Sequence, residues 1–396
     1  MERLRNWIQD YAWGSTTAIP RLLGVPETGA PQAEMWLGAH PSAPSKLKKG
    51  GHFIGLDAHI ASHAEACLGS ACLYHFGATL PFLLKVLAAA EPLSLQAHPD
   101  RARAERGFAE EEAAGIPVDA PNRRYRDPNH KPELIVALTE FHALCGFRLV
   151  SESVALFRAL GLDCRVLEER GLEAYFEGVM TAPHDEQLAL AAAALAACRS
   201  NRTSGHETIC RWGVRIGEKY PGDVGLIGAL LLNHVVLAPG QALYLPAGNL
   251  HAYLEGTGIE IMASSDNVLR GGLTPKYVDV AELIACLDFT DGPAPVLEPE
   301  GDIATYATPA EDFELTRLRM RGAHVELPHG GPEILLVLEG RLELSTEAGA
   351  TTLEAGESVF IGADEGATLA VAGVGVAYRA TPGRLNVRVG LTYDSD

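Results

Sequence analysis

A chain of 396 residues exceeds one ordinary hydrophobic core and calls for two or three modules. Apolar residues make up 47% and charged residues 21%, the balance of a soluble globular protein, and the longest apolar run, residues 188–198, falls well short of the ~20 residues a membrane span needs. A net charge of −19 with no basic stripe excludes a nucleic-acid partner, and it leaves a small anion as ligand only where a few cations converge.

Residues 1–147 mix short apolar runs with Pro and Gly. The opening MERLRNWIQDYAWGS lacks the apolar stretch of a secretory signal, so the expected location is cytoplasmic. Seven scattered cysteines without a C-x-x-C pair predict reduced, mostly buried thiols rather than disulfides or a thiolate zinc site. Residues 81–87 and 133–138 read as buried strands bounded by turn residues, and 101–115 reads as a helix after Asp100.

Residues 148–235 change character. Residues 151–161 have Ser151 as N-cap candidate and Gly161 as C-cap, while 186–198 and 226–235 are rich in Ala and Leu. The segment reads as an all-helical insertion.

From 236 onward the pattern returns to strands. Short runs at 313–318, 333–338, 341–345, 357–361 and 367–371 are separated by turn residues, as in a sandwich or jelly roll. Residues 239–251 can be laid over 355–367: both are strand–turn–strand segments opening on a glycine, Gly240 and Gly356. The first ends on His251 and the second on Ala367, which predicts two related β units of which only the first carries a ligand. The predicted fold class is therefore mainly β with a helical insertion. Two β-barrel (jelly-roll) units, residues 1–147 with 236–300 and residues 301–396, accompany an all-α domain over 148–235.

The spacing Gly240-x5-Pro246-x-Gly248-x2-His251 matches the second motif of cupin barrels, whose histidine ligates a metal. Taken alone, His251 fits a turn or core role as well as a metal ligand. Gln96 and His98 lie two apart, so in a strand both side chains share a face, and Pro99 stops the strand. Glu133 opens a strongly apolar run, where a carboxylate is costly to bury unless it meets a cation or a metal. Two imidazoles, a carboxylate and an amide oxygen suit Zn²⁺, with Mn²⁺ or Fe²⁺ as alternatives. Arg270 precedes the Gly271–Gly272 pair, and together with Lys276 it is a candidate for holding a phosphate in this acidic chain.

These blocks together resemble the type I phosphomannose isomerases. The matching stretches are residues 9–14, 33–41, 81–85, 93–100, 129–133, 220–225, 243–253 and 265–276, in family order. The departures are Gly271, where Ala is usual, and the loop Tyr125-Arg126-Asp127-Pro128, neither of which falls on a ligand position. The resemblance implies one zinc per chain held by Gln96, His98, Glu133 and His251. It puts Arg270 on the family's active-site arginine and Lys85, His130, Lys131, Glu260 and Asp266 on positions lining the same pocket. Trp13, Ser94 and Lys276, inside matched blocks, are expected to contact substrate.

The implied reaction interconverts mannose 6-phosphate and fructose 6-phosphate through a cis-enediol. Lys85, His130, Lys131 and Glu260 are the candidate bases, and His130 with Asp266 a candidate pair for opening the sugar ring. Alternatives from other classes are a related phosphosugar isomerase, a metal-dependent oxygenase and a non-catalytic sugar-binding cupin. The expected state is a monomer whose partner is a small phosphosugar, with no nucleic acid and no membrane.

Overall fold

The computed structural model describes residues 1–201 and 205–383 and is mainly β with several helices. The chain divides into two compact units. Among the described residues, one gathers Met1–Gln9, Thr16–Val86 and those from Pro299 to Gly383; the other gathers Asp10–Ser15 and Leu87–Glu298.

The first unit is built on a seven-stranded antiparallel sheet. Its strands run in the order Glu2–Arg3, Ser358–Ile361, Glu333–Thr346, Thr368–Thr381, Glu314–Pro328 and Ile303–Tyr306, with Gly349–Glu354 paired beside Glu333–Thr346. Alternation along these strands buries Leu318, Leu335, Val337, Leu342, Val359, Ile361 and Val371 in one cluster. Two helices, Leu56–Ser62 and Ala64–Phe76, belong to this unit and have no counterpart among the elements expected from sequence.

The second unit positions the candidate site. Its long strand, His251–Ala263, pairs through its first half with Phe141–Phe147 and through its second half with Glu133–Ala137. Ala242–Leu245 flanks Glu133–Ala137 on the other side. Leu95–Ala97 touches the long strand at His251 and pairs along its opposite edge with Leu269–Gly272. Helices Val150–Leu160, Arg165–Thr181, His184–Ser200, Glu207–Lys219 and Gly225–Leu231 fill the middle of the sequence. Their apolar faces, including Phe157, Phe176, Trp212 and Leu230, form one cluster with Leu95, Ala97, Leu250 and Leu269. A strand alternates faces, so anchoring these residues against the helices turns Gln96, His98, His251 and Arg270 the other way.

Several elements follow the sequence reading closely. The helix after Asp100 runs Arg101–Ala113, and the Asp100 carboxylate caps it by accepting from the Arg103 N–H at 2.7 Å. Gly161 ends its helix in the left-handed conformation.

Two expectations are corrected. The helix expected from Ser151 begins at Val150, because Asp291, distant in sequence, accepts the Val150 N–H at 2.7 Å and replaces a local cap. The helix expected over 226–235 stops at Leu231, and Leu232–Leu237 is a strand paired with Phe141–Phe147. Asn233 fixes that switch by donating to the carbonyls of Cys145, Gly146, Phe147 and Gly292.

All seven cysteines are unpaired, and six are buried. Among the described residues no helix is long and apolar enough to cross a membrane.

Candidate metal centre

His98, Glu133 and His251 come from three different strand ends and meet with donor atoms within 4.8 Å of one another. All three are buried, at 1%, 2% and 1% exposure. His251 opens its strand after a turn that needs Gly248, where φ is +77° and a Cβ would stand 2.9 Å from the Cys286 carbonyl oxygen.

Each imidazole is oriented by its far side. His98 Nδ1 lies 2.7 Å from the Asn267 carbonyl oxygen and His251 Nδ1 lies 2.9 Å from that of Asn249. A carbonyl can only accept, so Nδ1 carries a proton in both rings and Nε2 is the nitrogen that faces inward. Inside, His98 Nε2 is 3.2 Å from Glu133 Oε1, and His251 Nε2 is 3.5 Å from Glu133 Oε2. Lys131 Nζ stands 3.0 Å from Glu133 Oε1.

The electrostatics match that placement. Burial drives His98 down to about 4 against the opposing pull of Glu133, which keeps the ring neutral. Burial works against the charge of Glu133 too, but Lys131, His98 and His251 outweigh it and hold the carboxyl well below the usual range. His98 Nε2, His251 Nε2 and Glu133 Oε2 are buried without hydrogen-bond partners. Two imidazole nitrogens and a carboxylate oxygen, preoriented and unsatisfied, make a donor set that fits a zinc ion.

Gln96 is brought to the same place by register: it is opposite His251 on one side and Arg270 on the other. Glu260 is buried, and it shares a face with Glu133 because its register partner is Ile135. Tyr253, which the sequence reading did not single out, is fully buried nearby. Burial and the charges of Glu260 and Glu133 push its phenol well above the ordinary range.

Arg270 lines a cavity of about 370 Å³ together with Arg126, Asp266 and Lys276. Burial, then the neighbouring Arg126, lowers the pKa of Arg270; burial, Arg270 and Arg126 lower that of Lys276. Among the described residues Arg126, Arg270 and Lys276 make no ion pair with a carboxylate, whereas neighbouring Arg124 is neutralised by Glu111 and Asp279. Mutually repelling cations beside a cavity are a ready site for an anion.

The turn after Arg270 is held by Asp223, which accepts the N–H groups of Gly225 and Thr274 at 2.8 and 3.0 Å. Gly272 is required there, with φ at +115° and a Cβ position 2.8 Å from the Gly225 Cα. Arg126 lies in the loop noted as a departure from the family pattern; its signal was a basic cluster, Arg123, Arg124 and Arg126, in an acidic chain.

The other expected residues lie as follows. His130 Nε2 is 2.9 Å from Arg101 Nη2. Lys85 belongs to the first unit, where it is 3.7 Å from Glu34 and lies over the Trp36 ring. Trp13 packs against the apolar cluster of Leu87, Ile135 and Tyr253, and Ser94 is half-buried just ahead of Leu95–Ala97.

A family model for the catalytic domain of type I phosphomannose isomerase matches residues 1–150. The chain is 41% identical to the mannose-6-phosphate isomerase of Salmonella typhimurium, across 92% of this chain and 95% of that one. It is 34% identical to mannose-6-phosphate isomerase 1 of Arabidopsis thaliana, across 92% and 90%. A solved mannose 6-phosphate isomerase with zinc bound superposes with a TM-score of 0.88 at 39% identity, covering 97% of this chain and 99% of that one.

Proposed function

The chain belongs to the type I phosphomannose isomerases and is an isomerase of that family, and from that premise we propose that it interconverts mannose 6-phosphate and fructose 6-phosphate with the aid of zinc. One observation carries the reading: three buried donor atoms without partners, one of them on His251, are joined through the pairings of Gln96 to Arg270, whose cavity is lined by cations that make no ion pair among the described residues.

In this reading His98, Glu133 and His251 hold one zinc per chain, with Gln96 as the fourth ligand. Zinc bound there would supply Lewis acidity, stabilising negative charge that develops on substrate oxygens. Arg126, Arg270 and Lys276 bind the phosphate and fix the sugar relative to the ligand cluster; an anion relieves the repulsion that depresses Arg270 and Lys276. A proton passes between C1 and C2 through a cis-enediol. Lys131 and Glu260, both buried within the second unit, carry that transfer ahead of the alternatives Lys85 and His130. His130 and Asp266 act as the acid–base pair that opens the sugar ring.

Two cupin-like barrel units and a helical domain, expected over 148–235 and ending at Leu231, belong to the same proposal. It is supported by the matching strand–turn–strand layouts that begin at Gly240 and Gly356, both with positive φ. A cytoplasmic monomer completes it, and seven unpaired cysteines are in keeping with a reducing compartment.

A coupled assay of mannose 6-phosphate conversion, run with a chelator and again after zinc is restored, tests the reading. Activity should vanish and return; zinc-loaded protein that leaves mannose 6-phosphate unchanged would sink it.

A further inference from the structure

The first unit contains a second buried carboxylate–histidine arrangement that the isomerase reading leaves unused. Glu333 opens a strand, as Glu133 does in the other unit, and it too is buried beside a histidine, His329. The likeness ends at the donor atoms. His329 is satisfied at both ring nitrogens: Nδ1 faces Glu333 Oε1 at 2.7 Å and Nε2 faces the Gly362 carbonyl oxygen at 2.8 Å. Arg379 Nε donates to Glu333 Oε2 at 2.6 Å, and its Nη2 donates to Glu333 Oε1 and to the Pro328 carbonyl. The counter-charge of this carboxylate is a guanidinium of the chain itself, so the donors that await a metal in the second unit are already used here.

A cavity of about 620 Å³ opens beside this cluster, within the range of small-molecule sites of roughly 300–1,000 Å³. Ile303, Leu327 and Pro328 supply apolar wall; Arg379, Thr316 and Thr305 supply polar groups. Thr316 is the register partner of both Arg379 and Thr305, so the three side chains share one face. The two threonine hydroxyls lie 2.9 Å apart. Among the described residues, Arg379 Nη1 meets no acceptor.

Charge selects the ligand class. Arg379 is neutralised by Glu333, so a phosphate or carboxylate would be desolvated next to a carboxylate with no spare cation. That is the opposite of the cavity around Arg270. What remains is a fixed guanidinium donor and hydroxyls that both donate and accept, set against an apolar wall. We infer that this cavity binds a neutral polyhydroxyl compound, an unphosphorylated sugar or sugar alcohol.

Methyl-labelled full-length protein tests the site directly, because Ile303 and Leu327 place methyl groups at the cavity. Mannose, fructose and mannitol should shift both methyl signals saturably, with dissociation constants of about 1–10 mM for so few contacts. Inorganic phosphate and citrate should not. Thr316→Val keeps the volume and removes one hydroxyl, and should weaken binding at least about fivefold. Ile303→Trp, at a 43% exposed position that tolerates bulk, should block the cavity and leave isomerase turnover unchanged. The inference is overturned by absence of a saturable shift at these methyls, by anions shifting them at lower concentration than the neutral compounds, or by both variants binding like the unmodified protein.

Discussion

Gln96 stands directly opposite His251 where their strands pair. On its other edge the same residue stands opposite Arg270. Register partners in a sheet share a face, so one amide side chain separates a candidate metal ligand from the arginine of the cation cavity. The two halves of the proposed chemistry are thereby set by the pairing of a three-residue strand, Leu95–Ala97.

Removing the amide oxygen while keeping bulk isolates its contribution. Gln96→Leu should weaken zinc binding at least about tenfold, read by competition with a chromophoric chelator, and turnover should fall in step with zinc occupancy. Unchanged zinc affinity would remove Gln96 from the ligand set.

The three unpaired cations should separate by kinetic signature. Arg126→Ala and Lys276→Ala each take one charge from the anion site and should raise KM by roughly 10–100-fold with kcat largely kept. Arg270 is the register partner of Gln96, so Arg270→Ala should lower kcat as well, while zinc content measured by metal analysis stays at the unmodified level. Near-normal turnover in Arg270→Ala would refute its role.

The sequence exposes this site unevenly. Strand alternation, a costly buried carboxylate and a Pro/Gly turn mark Gln96, His98, Glu133 and His251 as candidates, and it is the family resemblance that joins them into one ligand set. Their convergence is not local: it depends on pairings such as His251 with both Cys145 and Gln96. Capping of Val150 by Asp291 and the strand at Leu232–Leu237 were hidden for the same reason, since partners far along the chain override local propensity. Arg379 lies beyond the last strand expected from sequence, 367–371, and its register opposite Leu335 and Thr316 is what turns it toward Glu333.

The His329 cluster makes stability pH-dependent in a definite direction. Burial lowers the pKa of His329, but the Glu333 carboxylate and the Gly362 carbonyl outweigh it and hold the ring above its ordinary 6.5. A raised folded-state pKa stabilises the fold fully below the unfolded value, and the contribution is lost as pH rises through the folded value. His329→Gln should therefore lower the melting temperature more at pH 5.5 than at pH 9, about the ends of that window. Equal losses at both pH values would show that the imidazole is not charged in the folded protein.

Asn267 joins the candidate ligands to the loop that carries Arg126. It is fully buried; its Nδ2 donates to the carbonyls of Asp127 and Asn129 at 2.7 and 2.8 Å, and its Oδ1 accepts from the Arg126 N–H at 2.7 Å. Its own carbonyl accepts a hydrogen bond from His98 Nδ1. Asn267→Asp preserves shape but points a carboxylate oxygen at two carbonyls and at Asp127, all acceptors. Unfolding in urea should show a loss of about 2–4 kcal/mol. Zinc affinity should fall by roughly 10–100-fold, because the support behind His98 loosens. Asn267→Ala removes the donor without adding charge and should cost less on both measures. If the Ala and Asp variants lose equally, the harm comes from the missing side-chain bonds alone, and the acceptor–acceptor repulsion predicted for the Asp variant is refuted.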